Sequence, residues 1–485
     1  MNHRTGKESN RNKSHQESNS LDHSKLIFEP RSIAVIGASN SPGKWGYKMI
    51  EWPLAAGYGG HIYPVNPREK EILGLRAYPS IHHVPGKVDL AVITVPAPMV
   101  PRVLDECVQE GIRAAVIISG GFAETGEEGK ALQEELIKIA HEGGLRFVGP
   151  NVQGLWCADS KLNLCFDRGL EPGPIAFISQ SGAFGSMLAQ QANEKGYGIS
   201  FFVSIGNQAD LDAADYMEYL AEDPRIKAII LYIEGIKNGR RFFNITRQVV
   251  KKKPVIVLKG GRTEAGATAA ASHTASLAGE DQIFEAACRQ TGMLLATEAM
   301  EPFHVAHAIL CQPLPKGRRV AIMGTGGQCV LLADACASLG LEIPFLDKET
   351  QLTLKKILPA NAPLPKNTID WAGGYRSPMD EARLIHRIAQ LDYIDCIMMN
   401  APFPMTWHGL GSKEVVHDAC MEAADMLNEI SQKWEKPIIT LGPTHEAIIS
   451  KLRQVGIPCY DNPGDCARAL YGLIRYAEKR TDSYH

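Results

Sequence analysis

Short, unbroken apolar runs alternate with helix-length amphipathic stretches along most of the chain. Three of the runs pass straight into a turn of small residues: Ile33-Ala-Val-Ile-Gly-Ala-Ser39, Ile175-Ala-Phe-Ile-Ser-Gln-Ser-Gly182 and Val320-Ala-Ile-Met-Gly-Thr-Gly-Gly327. They begin at nearly even spacing, so one architectural phrase is repeated three times. After each turn a helical segment leads to a further strand, at His61–Asn66, Gly198–Val203 and Leu341–Phe345. Two more follow in each third: Val88–Ile93 and Ala114–Ile118, Lys227–Tyr232 and Pro254–Leu258, Ile394–Met398 and Pro437–Thr440. A run that is apolar at every position belongs to a strand covered on both faces, as parallel strands joined by helices are.

The pattern therefore predicts an α/β chain of three doubly wound, parallel-sheet domains, Rossmann-like or flavodoxin-like. Turn signals at Gly149-Pro150-Asn151 and Pro313-Leu-Pro-Lys-Gly317 place the domains at 26–150, 151–315 and 316–485. Residues 1–25 hold almost nothing apolar beyond Met1 and Leu21 and are expected to be a disordered tail. The tail lacks the apolar stretch of a secretory signal, and its acids, Glu8, Glu17 and Asp22, do not fit a mitochondrial presequence.

Composition narrows the function classes. Apolar residues make up 45% of the 485 and the net charge is −3, so there is no broad basic surface for nucleic acid. No run approaches the roughly 20 apolar residues of a membrane-spanning helix. The 11 cysteines are an odd number without a CxxC pair, which argues against a disulfide framework or zinc ribbon and for reduced thiols in a cytoplasmic protein. No metal site is expected.

In sheets of this kind ligands lie beyond the carboxyl ends of the strands, where helix N-termini favour anions. All three small-residue turns fall there, so phosphate-bearing ligands are expected. The first turn is not a dinucleotide fingerprint. Ser39 stands where the second glycine is needed, Pro42 interrupts the helix start, and Pro64-Val-Asn-Pro67 offers no acid for a ribose. A Rossmann dehydrogenase is disfavoured on these residues.

The stretches Ile36-Gly-Ala-Ser39, Tyr63-Pro-Val-Asn-Pro67, Thr94-Val-Pro-Ala-Pro98, Ile118-Ser-Gly-Gly-Phe122 and Gly149-Pro-Asn151 resemble the coenzyme A-binding domain of the nucleoside-diphosphate-forming acyl-CoA synthetases. That superfamily includes succinyl-CoA synthetase. The resemblance implies that Gly37, Ala38, Ser39, Val65 and Asn66 lie along the CoA phosphates. It also implies that Thr94, Val95, Pro96, Ser119, Gly120 and Gly121 flank the adenine and pantetheine. Family members commonly carry alanine at the position of Gly120.

The alanine- and glycine-rich segment Lys259–Asp281 has His273 as its one imidazole and few large apolar groups to anchor it. Read alone, it is more readily an alanine-rich surface helix carrying an ordinary exposed histidine. Ser272-His273-Thr274-Ala275-Ser276-Leu277-Ala278-Gly279 is similar to the family's phosphohistidine motif, which usually has glycine at position 275. The resemblance implies that His273 carries a phosphoryl group, that Glu234 orients it, and that Ser181 and Gly182 bind phosphate at a helix N-terminus. A neutral imidazole suits this role, being nucleophilic near pH 7. Gly206-Asn-Gln-Ala-Asp-Leu-Asp212 also matches, without an assigned role.

Residues 316–480 resemble the third α/β domain of the ADP-forming acetyl-CoA-synthetase branch, through Gly324-Thr-Gly-Gly327, Asp334–Gly340 and Asn367-Thr-Ile-Asp370. Relatives usually read Asn-Pro-Val-Asp in the last. No segment resembles the family's ATP-grasp domain. The resemblance thus implies the separate α subunit of an ADP-forming acyl-CoA synthetase of acetate–CoA ligase type. Its substrates would be a small carboxylic acid or acyl-CoA and coenzyme A. ATP or ADP with Mg²⁺ would sit on an ATP-grasp β subunit, in an α2β2 assembly. The alternative is a CoA-binding regulatory protein of the same fold.

Overall fold

The computed structural model describes residues 23–268, 281–372, 377–400, 413–442 and 446–482. Contacts divide the chain into two compact units, Met1–Ala299 and Met300–His485.

The first unit contains two large sheets. One is built from β1 (Ser32–Ile36), β2 (His61–Val65), β5 (Leu90–Ile93), β6 (Ala114–Ile117) and β7 (Arg146–Val148), in the order β2-β1-β5-β6-β7, all parallel. A two-stranded hairpin, β3 (Glu71–Ile72) and β4 (Leu75–Arg76), stands apart from it. The other sheet comprises β8 (Leu155–Cys157), β9 (Leu162–Asn163), β10 (Ile175–Ser179), β11 (Ile199–Ser204), β12 (Ala228–Ile233), β13 (Val255–Lys259) and β14 (Leu294–Ala296). Its order is β14-β13-β12-β10-β11-β8-β9. The five strands from β14 to β11 are parallel, but β8 runs antiparallel to β11 and β9 antiparallel to β8. The parallel pattern expected from the sequence thus gains an antiparallel edge.

One continuous buried cluster runs from Ile33, Val92 and Val116 of the first sheet to Phe201, Leu231 and Val257 of the second. The turn at Gly149–Asn151 therefore separates two sheets without separating two cores. Residues 23–25, expected to belong to the tail, are part of a helical segment, 23–28. Phe28 explains why. It is fully buried, meets Phe201 edge-on at 5.2 Å between centroids and stacks on Tyr219 at 5.7 Å. Such aromatic contacts more than offset the polar residues before it.

The second unit holds β15 (Val320–Gly324), β16 (Ile369–Asp370), β17 (Cys396–Asn400), β18 (Ile438–Leu441) and β19 (Cys459–Tyr460), ordered β16-β15-β17-β18-β19 and parallel throughout. It begins earlier than the proline-rich turn at 313–317 because the helix Glu301–Cys311 packs within it. The Tyr460 hydroxyl donates to the His304 carbonyl at 2.8 Å, and Gly472 leaves room for Val305. The strand expected at Leu341–Phe345 is only an isolated bridge, Arg319 to Glu342. Asn367 takes its place. Its Oδ1 accepts from Ile322 N–H at 3.1 Å, and its Nδ2 donates to the carbonyls of Val320 and Pro344 at 2.9 and 3.1 Å. A side-chain amide here supplies the pairing that a strand would otherwise provide.

Candidate functional site

In each sheet the strand order reverses beside the strand that runs into a small-residue turn. The crevice lies between β1 and β5 in the first sheet and between β10 and β12 in the second. These switch points are where open α/β sheets bind ligands.

At the first switch point the candidate residues are tied to one another. The N–H groups of Gly37 and Ala38 both donate to the Val65 carbonyl, at 3.1 and 3.3 Å. Asn66 Nδ2 returns a bond to the Ala38 carbonyl at 2.7 Å, while its Oδ1 accepts from Arg68 N–H at 2.8 Å. Thr94 reaches the Ile36 carbonyl through its N–H at 2.9 Å and its hydroxyl at 3.0 Å. Ser119 Oγ donates to the Val95 carbonyl at 2.5 Å. Gly37 has φ +93°, and a Cβ there would fall 2.7 Å from Thr94 Oγ1, so this position needs glycine. The side chains of Ala38, Val65 and Val95 are buried and build the wall beneath the turn. Ser39, Pro96 and Gly120 remain accessible at the rim. The helix Trp45–Ala56 follows with no side chain capping its first turn. Its unpaired N–H groups favour an anion.

The second switch point brings Ser181, Gly182 and Glu234 together. Ser181 caps the helix Gly182–Glu194, its Oγ accepting from Phe184 N–H at 3.4 Å, and Ala183 is exposed in the first turn. Gln180, buried in the same turn, accepts from the N–H groups of Glu234 and Gly235 at 2.8 and 3.1 Å. Glu234 is 6% exposed. The Tyr232 hydroxyl donates to its Oε1 at 3.2 Å, and its Oε2 is buried with no hydrogen-bond partner among the described residues. Lys259, at the end of β13, donates to the Glu234 carbonyl at 2.8 Å and to the Gly260 carbonyl. Burial pushes the Lys259 ammonium below its ordinary value, against the pull of Asp281 and Glu234.

His273 lies in 269–280, outside the described residues. The two ends of that segment are joined all the same. Arg262 Nε pairs with both oxygens of Asp281 at 3.1 and 3.2 Å, and Arg262 Nη2 reaches Glu285 Oε1 at 2.6 Å.

The two switch points are linked by residues whose roles the sequence left unassigned. Glu124 Oε1 accepts from Gly121 N–H at 2.6 Å, and its Oε2 accepts from Asn207 Nδ2 at 2.5 Å. Gln208 Nε2 lies 3.5 Å from the Gly235 carbonyl, and Lys237 Nζ donates to the Gln208 carbonyl at 2.9 Å. The only signal for these in the sequence was the unexplained Gly206–Asp212 run. In the second unit Asn400, at the end of β17, donates to the Thr325 carbonyl at 3.2 Å and has a buried Oδ1 without a partner among the described residues. The Gly324–Gly327 turn follows β15, which lies between β16 and β17 at the switch point of the third sheet. A cavity of about 680 Å³ lined by Lys25, Arg31, His61, Tyr63 and Arg113 opens at the opposite, amino-terminal ends of β1 and β2. It includes none of the candidate residues. Among the described residues no group of three His, Cys, Asp or Glu is placed to hold a metal, and no helix is long and apolar enough to cross a membrane.

Residues 31–155 match the CoA binding domain, and residues 172–309 match the succinyl-CoA ligase-like flavodoxin domain. The chain is 44% identical to the acetate–CoA ligase [ADP-forming] II subunit alpha of Pyrococcus furiosus, over 93% of this chain and 97% of that one. The chain belongs to the ADP-forming acetate–CoA ligase family. Another member, acetate–CoA ligase [ADP-forming] I of Archaeoglobus fulgidus, is 41% identical over 93% of this chain, which spans 63% of that longer protein. Among solved structures, acetyl-coenzyme A synthetase 1 of Ca. Korarchaeum cryptofilum, in complex with phosphate and ADP, superposes with a TM-score of 0.82 at 34% identity. That match covers 94% of this chain and 97% of the other. The family resemblance read from the sequence is thereby established.

Proposed function

We propose that this chain is the α subunit of an ADP-forming acyl-CoA synthetase. It interconverts acyl-CoA, ADP and phosphate with a carboxylic acid, CoA and ATP. The observation that carries the reading is the buried, unfilled Oε2 of Glu234 beside the Ser181-capped helix start. A buried carboxylate oxygen without a donor is costly, so a donor arrives during turnover. The N–H of an imidazole that is nucleophilic through its other nitrogen meets that need.

CoA occupies the first switch point, with Gly37–Ser39 and Val65–Asn66 along its phosphates and Thr94–Pro96 and Ser119–Gly121 along its remaining length. A phosphate oxygen attacks the acyl carbonyl, the C–S bond breaks, and the thiolate takes a proton. An imidazole nitrogen of His273 then attacks the phosphorus of the acyl phosphate, and the P–O bond breaks to release the carboxylate. Glu234 accepts the hydrogen bond from the opposite ring nitrogen, and the helix N-terminus at Ser181 and Gly182 holds the phosphoryl oxygens. The phosphoryl group passes to ADP with Mg²⁺ on an ATP-grasp β subunit, in an α2β2 assembly in the cytoplasm. The relative named subunit alpha, 97% of which is covered, supports a separate partner subunit.

The test is intact-protein mass after exposure to a panel of acyl phosphates with Mg²⁺. An acid-labile phosphoryl adduct on the wild type, absent from His273→Ala, supports the reading. The same adduct on both, or turnover retained by His273→Ala in the assembled enzyme, overturns it.

A further inference from the structure

Glu234 is gripped from three sides, and the grips do different things. Gln180 Oε1 takes the N–H groups of Glu234 and Gly235, while the Gln180 N–H donates to the Tyr232 carbonyl at 2.9 Å. One buried side chain thus fastens the end of β12 to the turn between β10 and the helix Gly182–Glu194. Lys259 takes the Glu234 carbonyl at 2.8 Å. Tyr232 occupies Oε1 with its hydroxyl at 3.2 Å and packs its ring on Phe184, 4.8 Å between centroids, in the first turn of the same helix. Gly260 makes room for this pair, since a Cβ there would stand 2.8 Å from the Tyr232 hydroxyl and 3.3 Å from Glu234 Cγ.

Two consequences follow from elementary chemistry. A carboxylate can offer either oxygen and can rotate about its last bond, and a donor fixed on one oxygen removes both freedoms. The acceptor for an imidazole and the N–H groups for a phosphoryl group must also keep a constant separation, because small misplacements at a reacting centre cost large factors in rate. Gln180 belongs to the same turn as Ser181 and Gly182, so it makes the acceptor and the anion site one rigid piece.

We propose that Gln180 and Tyr232 are positioning residues for phosphoryl transfer: Gln180 locks Glu234 to the anion-binding turn, and Tyr232 occupies Oε1 so that Oε2 alone receives the imidazole. The proposal rests on the phosphohistidine reading above. Among the described residues, the titratable and charged groups around Glu234 are Tyr232 on its own strand and Lys259 on β13, with Arg262 and Asp281 acting on Lys259. The turn from β10 presents Ser179, Gln180, Ser181 and Phe184, none of them charged.

The experiment uses the full chain assembled with its ATP-grasp partner and acetyl phosphate as donor. It follows the rate of the acid-labile adduct against donor concentration in wild type, Tyr232→Phe and Gln180→Met. Each variant should lose about tenfold in rate at an unchanged half-saturating donor concentration, Tyr232→Phe through one hydrogen bond to a carboxylate and Gln180→Met through two buried bonds to backbone N–H groups. Wild-type rates in both variants overturn the proposal, as does a raised half-saturating donor concentration at an unchanged maximal rate, or a rate loss matched by an equal loss of folded protein. Glu234→Gln and His273→Ala separate the two levels. If they lose the adduct while Tyr232→Phe and Gln180→Met keep it, positioning alone is wrong. If all four keep it, or the wild type never forms it, the phosphohistidine reading is wrong as well.

Discussion

The amide of Asn207 donates to Glu124 Oε2 at 2.5 Å, tying the Gly206–Asp212 run of the second sheet to the loop that follows Ser119–Gly121 in the first. Gln133 Oε1 takes a second bond from the same amide nitrogen at 3.0 Å, and Asn207 N–H donates to the Pro150 carbonyl at 3.0 Å. Burial pushes the Glu124 carboxyl up, but the donors Asn207 and Gly121 outweigh it and hold the group below its ordinary value. A carboxyl depressed in the folded state stabilises the protein above its unfolded pKa, and this stabilisation is lost as pH falls through the folded value. Asn207→Ala should therefore cost about 1 kcal/mol at pH 7, the scale of a partly exposed hydrogen bond to a charged group. Urea unfolding should show the difference from wild type shrinking at acid pH. A constant difference down to the lowest pH would mean that Asn207 acts by packing alone.

Gly46 is the residue on which the first turn rests. A Cβ there would stand 2.0 Å from the Gly37 carbonyl oxygen and 2.9 Å from its carbon. Helix propensity alone makes Gly→Ala favourable by about 1 kcal/mol in a helix. The backbone clash wins, and Gly46→Ala should lose about 1–3 kcal/mol net, as overpacked cores do. CoA affinity, measured by calorimetry, should fall with it, since the turn and the helix start would move apart. An alanine variant as stable as wild type and binding CoA equally well would remove Gly46 from the site.

Arg262 closes a loop. Its ion pairs with Asp281 and Glu285 join described residues on either side of 269–280. Arg262→Gln should lower stability by about 1 kcal/mol in dilute salt and by less near 1 M NaCl, where screening weakens the pairs already in the wild type. Cleavage by a Glu-specific protease at Glu264 should quicken. An effect independent of salt would show that the guanidinium works through packing.

In the second unit, burial pushes the His307 imidazole down to about 4, helped by Arg453 and His304. A histidine depressed in the folded state is neutral there while the unfolded chain binds its proton, so it destabilises increasingly as pH falls from its ordinary value near 6.5 toward about 4. His307→Gln should flatten that limb of the urea-unfolding profile and leave the profile above pH 7 nearly unchanged. An identical limb in the variant would assign the pH dependence to other groups.

Sequence alone determined the class of fold and the family, because both are written in short-range patterns. Fully apolar runs identified most of the strands, and the small-residue turns after Ile36, Ser179 and Gly324 marked the carboxyl ends of three of them. The motif around His273 pointed to one chemistry, and its segment lies outside the described residues. Tertiary structure decided what depends on residues distant in the chain. Phe28 belongs to a core because Phe201 and Tyr219 meet it, and the Leu341–Phe345 run is no strand because Asn367 has filled its pairing. The sequence could name Glu234, but not that Gln180, Tyr232 and Lys259 hold it and leave one oxygen open. Hydrogen-bond satisfaction is a property of neighbours in space, and only the folded chain chooses those neighbours.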